Sequence, residues 1–260
     1  MEALKLEWGS VHLEVRKGMG PALVFANSLG TDMRMWNAVL PHLPEDWTCL
    51  RMDKRGHGLS DTAPDPYDLT HLAEDLIAAM DHAGLERAVI VGCSVGGLIA
   101  QHVALMAPER VTALVLSNTA SKLVTASVWR ERIAGIRARG MAAMADEILP
   151  RWFGPAMMAR PEADLWRNLL RRTDPQGYMA TCDAISRADV TARLAEISQP
   201  ALVIGGQHDM STPPEVVERL AAGLPRADLA LFEQSGHLPA IEEPAEFAAM
   251  IRGFVERNAT

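Results

Sequence analysis

The sequence predicts an α/β fold: a mostly parallel central sheet flanked by helices, with a helical cap inserted into it. Three observations predict it. Short apolar runs alternate with helix-patterned stretches up to about residue 120, the alternation then stops for seventy residues, and it resumes after residue 200. Strand–helix alternation with short connections implies parallel strands joined by right-handed crossovers. An all-helical stretch inside such a series is a cap on the sheet.

Leu4–Trp8 and Val11–Val15 flank Gly9-Ser10, which reads as the turn of a hairpin. Ala22–Ala26 and Thr48–Met52 are short apolar runs of the kind buried on both faces, and Ala88–Gly92 and Thr112–Ser117 repeat the pattern. His71–Ala83 and Gly97–Met106 carry apolar residues at three- and four-residue spacing, as helices covering a sheet do. From Ser121 to Val190 no stretch reads as a strand. Helical patterns occupy Val128–Arg139, Met141–Leu149, Glu162–Arg171 and Gly177–Ser186, interrupted by Pro150, Pro155, Pro161 and Pro175. Strand Ala201–Ile204, helix Pro214–Ala222, strand Leu229–Phe232 and helix Pro244–Glu256 then restore the alternation. The expected organisation is a core over 1–120, a cap over 121–190 and a second core segment over 191–260.

With 260 residues, 48% of them hydrophobic and 22% charged, the chain has the balance of a globular protein. Disordered, collagen-like and disulfide-scaffold classes are excluded. Apolar runs such as Ala88–Val91 and Val111–Leu116 fall far short of the ~20 residues of a membrane span. The opening Met1-Glu2-Ala3-Leu4-Lys5 lacks the pattern of a secretory signal. Cys49, Cys93 and Cys182 form no CxxC, so neither a disulfide framework nor a zinc site is expected, and the expected compartment is the cytoplasm. A net charge of −8 without a Lys/Arg-rich cluster argues against nucleic acid as a partner. That charge is uneven. Residues 121–190 hold 11 Lys and Arg against 8 Asp and Glu, net +3, while the rest holds 14 against 25, net −11.

Gly92-Cys93-Ser94-Val95-Gly96 matches G-x-S-x-G, directly after a predicted strand and directly before a helix. In that context the turn is tight enough to demand glycine on both sides, and it lifts the serine above the sheet. A serine hydroxyl becomes a useful nucleophile only beside a base, and the base needs an orienting carboxylate. On this kind of sheet the chain order is Ser, then Asp or Glu, then His. Asp209 follows the strand Ala201–Ile204, and His237 follows the last strand, so both lie at carboxyl ends of strands where such sheets build their sites. His208 is the rival base and Asp53 the rival acid. Asp53, within Asp53-Lys54-Arg55-Gly56-His57-Gly58, reads more simply as the residue that holds its own loop by hydrogen bonds.

These stretches, with Gly206-Gln207-His208-Asp209 and Ser235-Gly236-His237, resemble the α/β-hydrolase superfamily over nearly the whole chain. Asn27-Ser28-Leu29-Gly30-Thr31-Asp32, followed by Met35-Trp36, resembles the bacterial 3-oxoadipate enol-lactonases, as does the cap segment from Gly177 to Ile185. Many relatives carry His-Gly where this chain has Asn27-Ser28, a departure that favours the lactonase branch. The resemblance implies an α/β-hydrolase fold with Ser94 as nucleophile, Asp209 as orienting acid and His237 as general base. Backbone N–H groups of Leu29 and Val95 would form the oxyanion hole. Asn118 stands where some relatives carry the acid. A serine nucleophile argues against dehalogenase or epoxide-hydrolase chemistry, which on this fold uses an aspartate. The implied reaction opens 3-oxoadipate enol-lactone, a small anionic substrate of aromatic catabolism in the β-ketoadipate pathway, with no cofactor and no metal. A general carboxylesterase or cofactor-free perhydrolase on the same triad is the alternative, and a non-catalytic ligand receptor is the reading from another class.

An anionic substrate needs a cation over the pocket, and the cap is the positively charged segment. Trp129, Arg130, Arg132, Arg151 and Trp152 are therefore the expected substrate-binding residues. For the tryptophans the competing reading is glue between the cap helices and the core. For the arginines it is ordinary solvated helix charge.

Overall fold

The computed structural model describes residues 1–64 and 66–258. Among these, eight strands form one sheet: β1 (Glu2–Leu6), β2 (Gly9–Arg16), β3 (Ala22–Ala26), β4 (Thr48–Met52), β5 (Ala88–Cys93), β6 (Val111–Ser117), β7 (Ala201–Gly206) and β8 (Ala227–Phe232). Their order across the sheet is β1-β2-β4-β3-β5-β6-β7-β8. The β1–β2 and β2–β4 pairings are antiparallel, and the pairings from β4 through β8 are parallel. From β3 the chain passes to β4 on one side and then to β5 on the other. That reversal opens a crevice at the carboxyl ends of β3 and β5, where open α/β sheets bind ligands.

Helices α1 (Leu69–Ala83), α2 (Val95–Met106), α7 (Pro214–Gly223) and α9 (Pro244–Asn258) flank the sheet, with a single turn, α8 (Pro239–Glu242), just before α9. Strands β5 and β7 are buried along their whole length, which is why they read as continuous apolar runs rather than as alternating ones. Helix α1 starts at a reciprocal Asp68–His71 capping box and stops at Gly84, whose φ of +73° places it in the left-handed region.

Between β6 and β7 lie α3 (Ala126–Ile148), α4 (Pro155–Met158), α5 (Glu162–Arg171) and α6 (Pro175–Arg187), with no strand among the described residues. Helix α3 is two helical stretches joined at Gly140, whose φ/ψ of 75°/165° interrupts the helix where the sequence pattern breaks.

The first hairpin differs from expectation. Its turn is Glu7-Trp8, with Leu6 paired to Gly9 and Lys5 to Ser10, so Gly9-Ser10 belongs to β2. Long-range packing overrides the local turn signal. A side chain at Gly9 would come within 2.8 Å of Asp61 Cβ. Asp61 Oδ2 accepts from Ser10 N at 2.8 Å, and Asp61 N donates to Ser10 O at 2.9 Å. Trp8 leaves the strand to donate its indole N–H to Asp75 at 2.9 Å, with the Arg55 guanidinium 4.6 Å from its ring centroid.

The core fixes the end of β3. Trp36 packs on Phe25, with ring centroids 5.1 Å apart, and its indole N–H donates to Asn27 Oδ1 at 2.7 Å. The Asn27 amide in turn donates to Met52 O at 2.7 Å. A buried asparagine is thus satisfied at both ends. Asn27 and Met35-Trp36, separated in sequence, form one structural unit that sets the loop carrying Leu29.

Candidate active site

Strand β5 delivers Ser94 into a strained turn with φ/ψ of 57°/−118°, and α2 begins at the next residue. Both glycines of the motif are sterically required. A Cβ on Gly92 would lie 2.3 Å from the Gly96 carbonyl oxygen, and one on Gly96 would lie 2.0 Å from the Ala26 carbonyl oxygen. The turn is clamped by Ser94 N donating to Ser117 O at 2.9 Å and by Thr119 Oγ1 donating to Ser94 O at 2.7 Å. A positive φ in a non-glycine residue is a cost of about 1–3 kcal/mol that the surrounding packing must hold in place.

Asp209, beyond β7, and His237, beyond β8, are both buried, and Asp209 Oδ2 lies 2.7 Å from His237 Nδ1. The carboxylate is densely solvated by protein. Oδ1 accepts from Ser211 N at 2.7 Å and Thr212 N at 3.0 Å, while Oδ2 also accepts from Thr212 Oγ1 at 2.6 Å and Asn118 Nδ2 at 2.9 Å. Burial works to raise the Asp209 pKa, but the His237 charge and these donors outweigh it and hold the group well below the usual carboxylate range. Asp209 therefore stays ionised and fixes the imidazole with Nε2 left for other chemistry. His237 and Ser94 line one pocket, together with Ser28 and Leu29 from the loop after β3. Val95 is the first residue of α2, where a helix leaves its backbone N–H without an intrahelical partner.

The rivals stand elsewhere. His208 is exposed. Asp53 accepts from Met33 N at 2.8 Å and Leu59 N at 3.0 Å and lies 2.8 Å from His12 Nδ1, so it organises its own loop.

A serine on a strand–helix elbow, with a buried Asp–His pair at the same pocket, is the arrangement for acyl transfer through an activated hydroxyl. A family model described as the alpha/beta hydrolase fold matches residues 21–244. The chain belongs to the α/β-hydrolase family. This hydrolase is 34% identical to 3-oxoadipate enol-lactonase 2 of Acinetobacter baylyi over 239 residues, covering 91% of this chain and 89% of that one. The crystal structure of the enol-lactonase from Burkholderia xenovorans LB400 superposes with a TM-score of 0.94 at 32% identity, over 98% of this chain and 100% of that one. Similarity extends to esterases: a pimeloyl-[acyl-carrier protein] methyl ester esterase of Neisseria meningitidis is 29% identical, over 87% of this chain and 90% of that one.

The hydrolase pocket is roofed by the helical segment between β6 and β7. Trp129, Arg132, Arg151, Trp152 and Tyr178 all line it. Trp129 is fixed by its indole N–H on Leu123 O at 2.7 Å, and the Arg132 guanidinium sits 5.5 Å from the Trp129 ring centroid. Arg132 Nη1 reaches the Tyr178 hydroxyl at 3.4 Å. Arg151 Nη2 donates to Met210 O at 2.9 Å, while its buried Nε has no hydrogen-bond partner among the described residues. Burial and the neighbouring Arg132 charge lower the Arg151 pKa from its ordinary value. Among the described residues, neither arginine has a carboxylate within 4.0 Å.

Arg130 is not brought to the pocket. Trp129 turns inward on α3, the next residue is rotated by about 100° and faces solvent, and Arg132, three residues on from Trp129, returns to the buried face. Thr212 and Tyr178 are pocket residues that sequence reasoning missed. Thr212 follows Asp209 by three residues, the spacing at which a side chain reaches back to an Asp turn, and that was the available signal. Asn118 also does more than replace an acid: its amide bridges Asp209 and the Gly236 carbonyl, at 2.9 and 3.1 Å.

Proposed function

We propose that this hydrolase opens a small anionic enol-lactone, 3-oxoadipate enol-lactone, to 3-oxoadipate, with Ser94 as nucleophile, His237 as general base and Asp209 as its orienting acid. The observation that carries the substrate class is the pair Arg132 and Arg151. Two guanidiniums without carboxylate partners among the described residues share the pocket of Ser94 and His237 in a chain of net charge −8. Half-buried guanidiniums whose protein partners are neutral oxygens leave their charge to be met by an anion from the ligand, and a planar guanidinium holds a carboxylate bidentately. The enol-lactonase relatives support the same reading.

Neutral His237 removes the Ser94 proton as Oγ attacks the lactone carbonyl. The negative charge on the carbonyl oxygen develops between the backbone N–H groups of Leu29 and Val95. The imidazolium that forms is stabilised by ionised Asp209 at 2.7 Å. Collapse breaks the bond from the acyl carbon to the ring oxygen, and the His237 imidazolium protonates that oxygen, giving an enol on the same molecule, a tethered acyl-enzyme and a neutral His237. Water, deprotonated by His237, releases Ser94, and the enol tautomerises to the ketone. Trp129 and Trp152 wall the ring, and Arg132 with Arg151 holds the free carboxylate. That reaction belongs to aromatic-compound catabolism by the β-ketoadipate pathway.

The test is loss of the enol-lactone ultraviolet absorbance, set against turnover of a neutral activated short-chain ester. A specific lactonase has a much higher kcat/KM for the lactone. Faster turnover of the neutral ester would replace this reading with a general carboxylesterase.

A further inference from the structure

Lys54 lies on the loop after β4, buried, and no ion pair with a carboxylate is formed by its Nζ among the described residues. Its ammonium instead donates to the Ser28 carbonyl at 2.6 Å and to the Thr31 carbonyl at 3.3 Å. A buried ammonium resting on carbonyls alone weakens a fold rather than strengthening it, so stability gives no account of it. Position does. The Ser28 carbonyl and the Leu29 N–H are the two ends of one peptide unit, and Ser28 and Leu29 both line the Ser94 pocket.

We propose that Lys54 is a positioning residue of the oxyanion hole: held on the Ser28 carbonyl, its positive charge polarises the Ser28–Leu29 peptide and strengthens the Leu29 N–H as a donor to the developing oxyanion. The inference rests on the role given to Leu29 above. The same carbonyl accepts from Thr31 Oγ1 at 2.9 Å and Thr31 N at 3.3 Å, so three donors pull on its oxygen. Electron density drawn to the oxygen leaves the amide N–H more positive, and hydrogen bonds in series strengthen one another. The donors also anchor the peptide plane with its carbonyl turned to the core.

Charged and titratable groups surround Lys54 from several elements. Asp53 and His57 lie on its own loop, Asp32 on the loop after β3, Cys93 at the end of β5 and Asp75 on α1. Burial nevertheless dominates and lowers the Lys54 pKa to about 7, against the attraction of Asp53 and Asp32. The positive charge is therefore present at lower pH and is lost as pH rises through about 7.

The experiment uses a neutral activated ester and a trifluoromethyl ketone, whose adduct with Ser94 places an oxyanion in the hole. Measured below pH 7, where the ammonium carries its charge, Lys54→Met is expected to lower kcat roughly 10- to 100-fold, less than deletion of a whole oxyanion donor, with KM little changed. Inhibition by the ketone should weaken by the same factor. Unchanged kcat, or a loss of kcat with the ketone's affinity intact, overturns the proposal. A second measurement needs no variant: wild-type kcat on the neutral ester should decline as pH rises through about 7, and a flat profile up to about pH 9 overturns it. Labelling by a fluorophosphonate separates this from the reading it rests on. If wild type is labelled at Ser94 and Lys54→Met matches it in every constant, Lys54 is wrong and the triad stands. If wild type is not labelled at Ser94, the triad reading itself has failed.

Discussion

The backbone N–H of His237 donates to the carbonyl of Trp152 at 2.8 Å. One residue follows β8 and the other belongs to the helical segment over the pocket, so the proposed base is seated against the roof as well as the core. Glu242 doubles the tie: its Oε1 accepts from Gly236 N at 2.8 Å and its Oε2 from Gly154 N at 2.7 Å. The Asp209–His237 pair and the roof of the pocket are thus joined through residues 152–154.

Ser94→Ala should remove turnover, by roughly 10⁴-fold or more, because the remaining groups supply only binding and oxyanion stabilisation. Folding should be intact, since the Ser94 clamps use its backbone. Retention of more than about one per cent of wild-type activity by purified protein would sink the triad.

His237→Ala should be about as damaging as loss of Ser94, whereas His208→Ala, at an exposed position, should leave kcat/KM near wild type. Steady-state kinetics on both variants decides between the two histidines. A larger loss in the His208 variant would reverse the assignment of the base.

Asn118→Ala removes a donor to Asp209 and the bridge to Gly236. A hydrogen bond to a charged group is worth about 1.5–3 kcal/mol, so kcat should fall roughly tenfold or more as the Asp–His pair loosens. An unchanged kcat would show that Thr212 and the two backbone donors hold Asp209 without it.

Arg132→Gln and Arg151→Gln should each lower kcat/KM for the anionic lactone by roughly 10–150-fold, the equivalent of one charge-assisted hydrogen bond. A neutral ester of similar size should change little, and Arg130→Gln should be silent on both substrates. Equal losses on charged and uncharged substrates would reject recognition of the carboxylate by these arginines.

Burial pushes the Glu242 carboxyl up to about 7 from an ordinary value of 4.5, against the pull of its backbone donors. Between those values the folded protein keeps the proton and the unfolded chain does not, so stability should fall as pH rises from about 4.5 and level off above about 7. Thermal melts across that range should show Glu242→Gln losing a few degrees less than wild type. Parallel curves for the two proteins would remove Glu242 as the source of the slope.

Much of this was legible in the chain itself. The alternation of apolar runs determined the parallel sheet, because strands buried on both faces and helices buried on one leave different periods in the sequence. G-x-S-x-G determined the elbow, because a Cβ at Gly92 or Gly96 collides with backbone a few ångströms away. Chain order placed Asp209 and His237 on the same edge of the sheet as Ser94, because parallel strands end on one side, and it left His208 and Asp53 as rivals.

Tertiary structure decided what depends on contacts between distant segments. Gly9-Ser10 carries a local turn signal, yet Asp61, some fifty residues on, packs against it and shifts the turn to Glu7-Trp8. Arg130 and Arg132 are equivalent as letters, and only the packing of Trp129 into the pocket says which of them shares its face. Nor does any local pattern show that Lys54 reaches the Ser28 carbonyl, 26 residues back, or that Glu242 joins Gly154 to Gly236. Periodicity and steric demand act over a few residues and are written into the sequence there. Side-chain partnerships across the fold arise only when separate elements are packed, and in this hydrolase those partnerships shape the site.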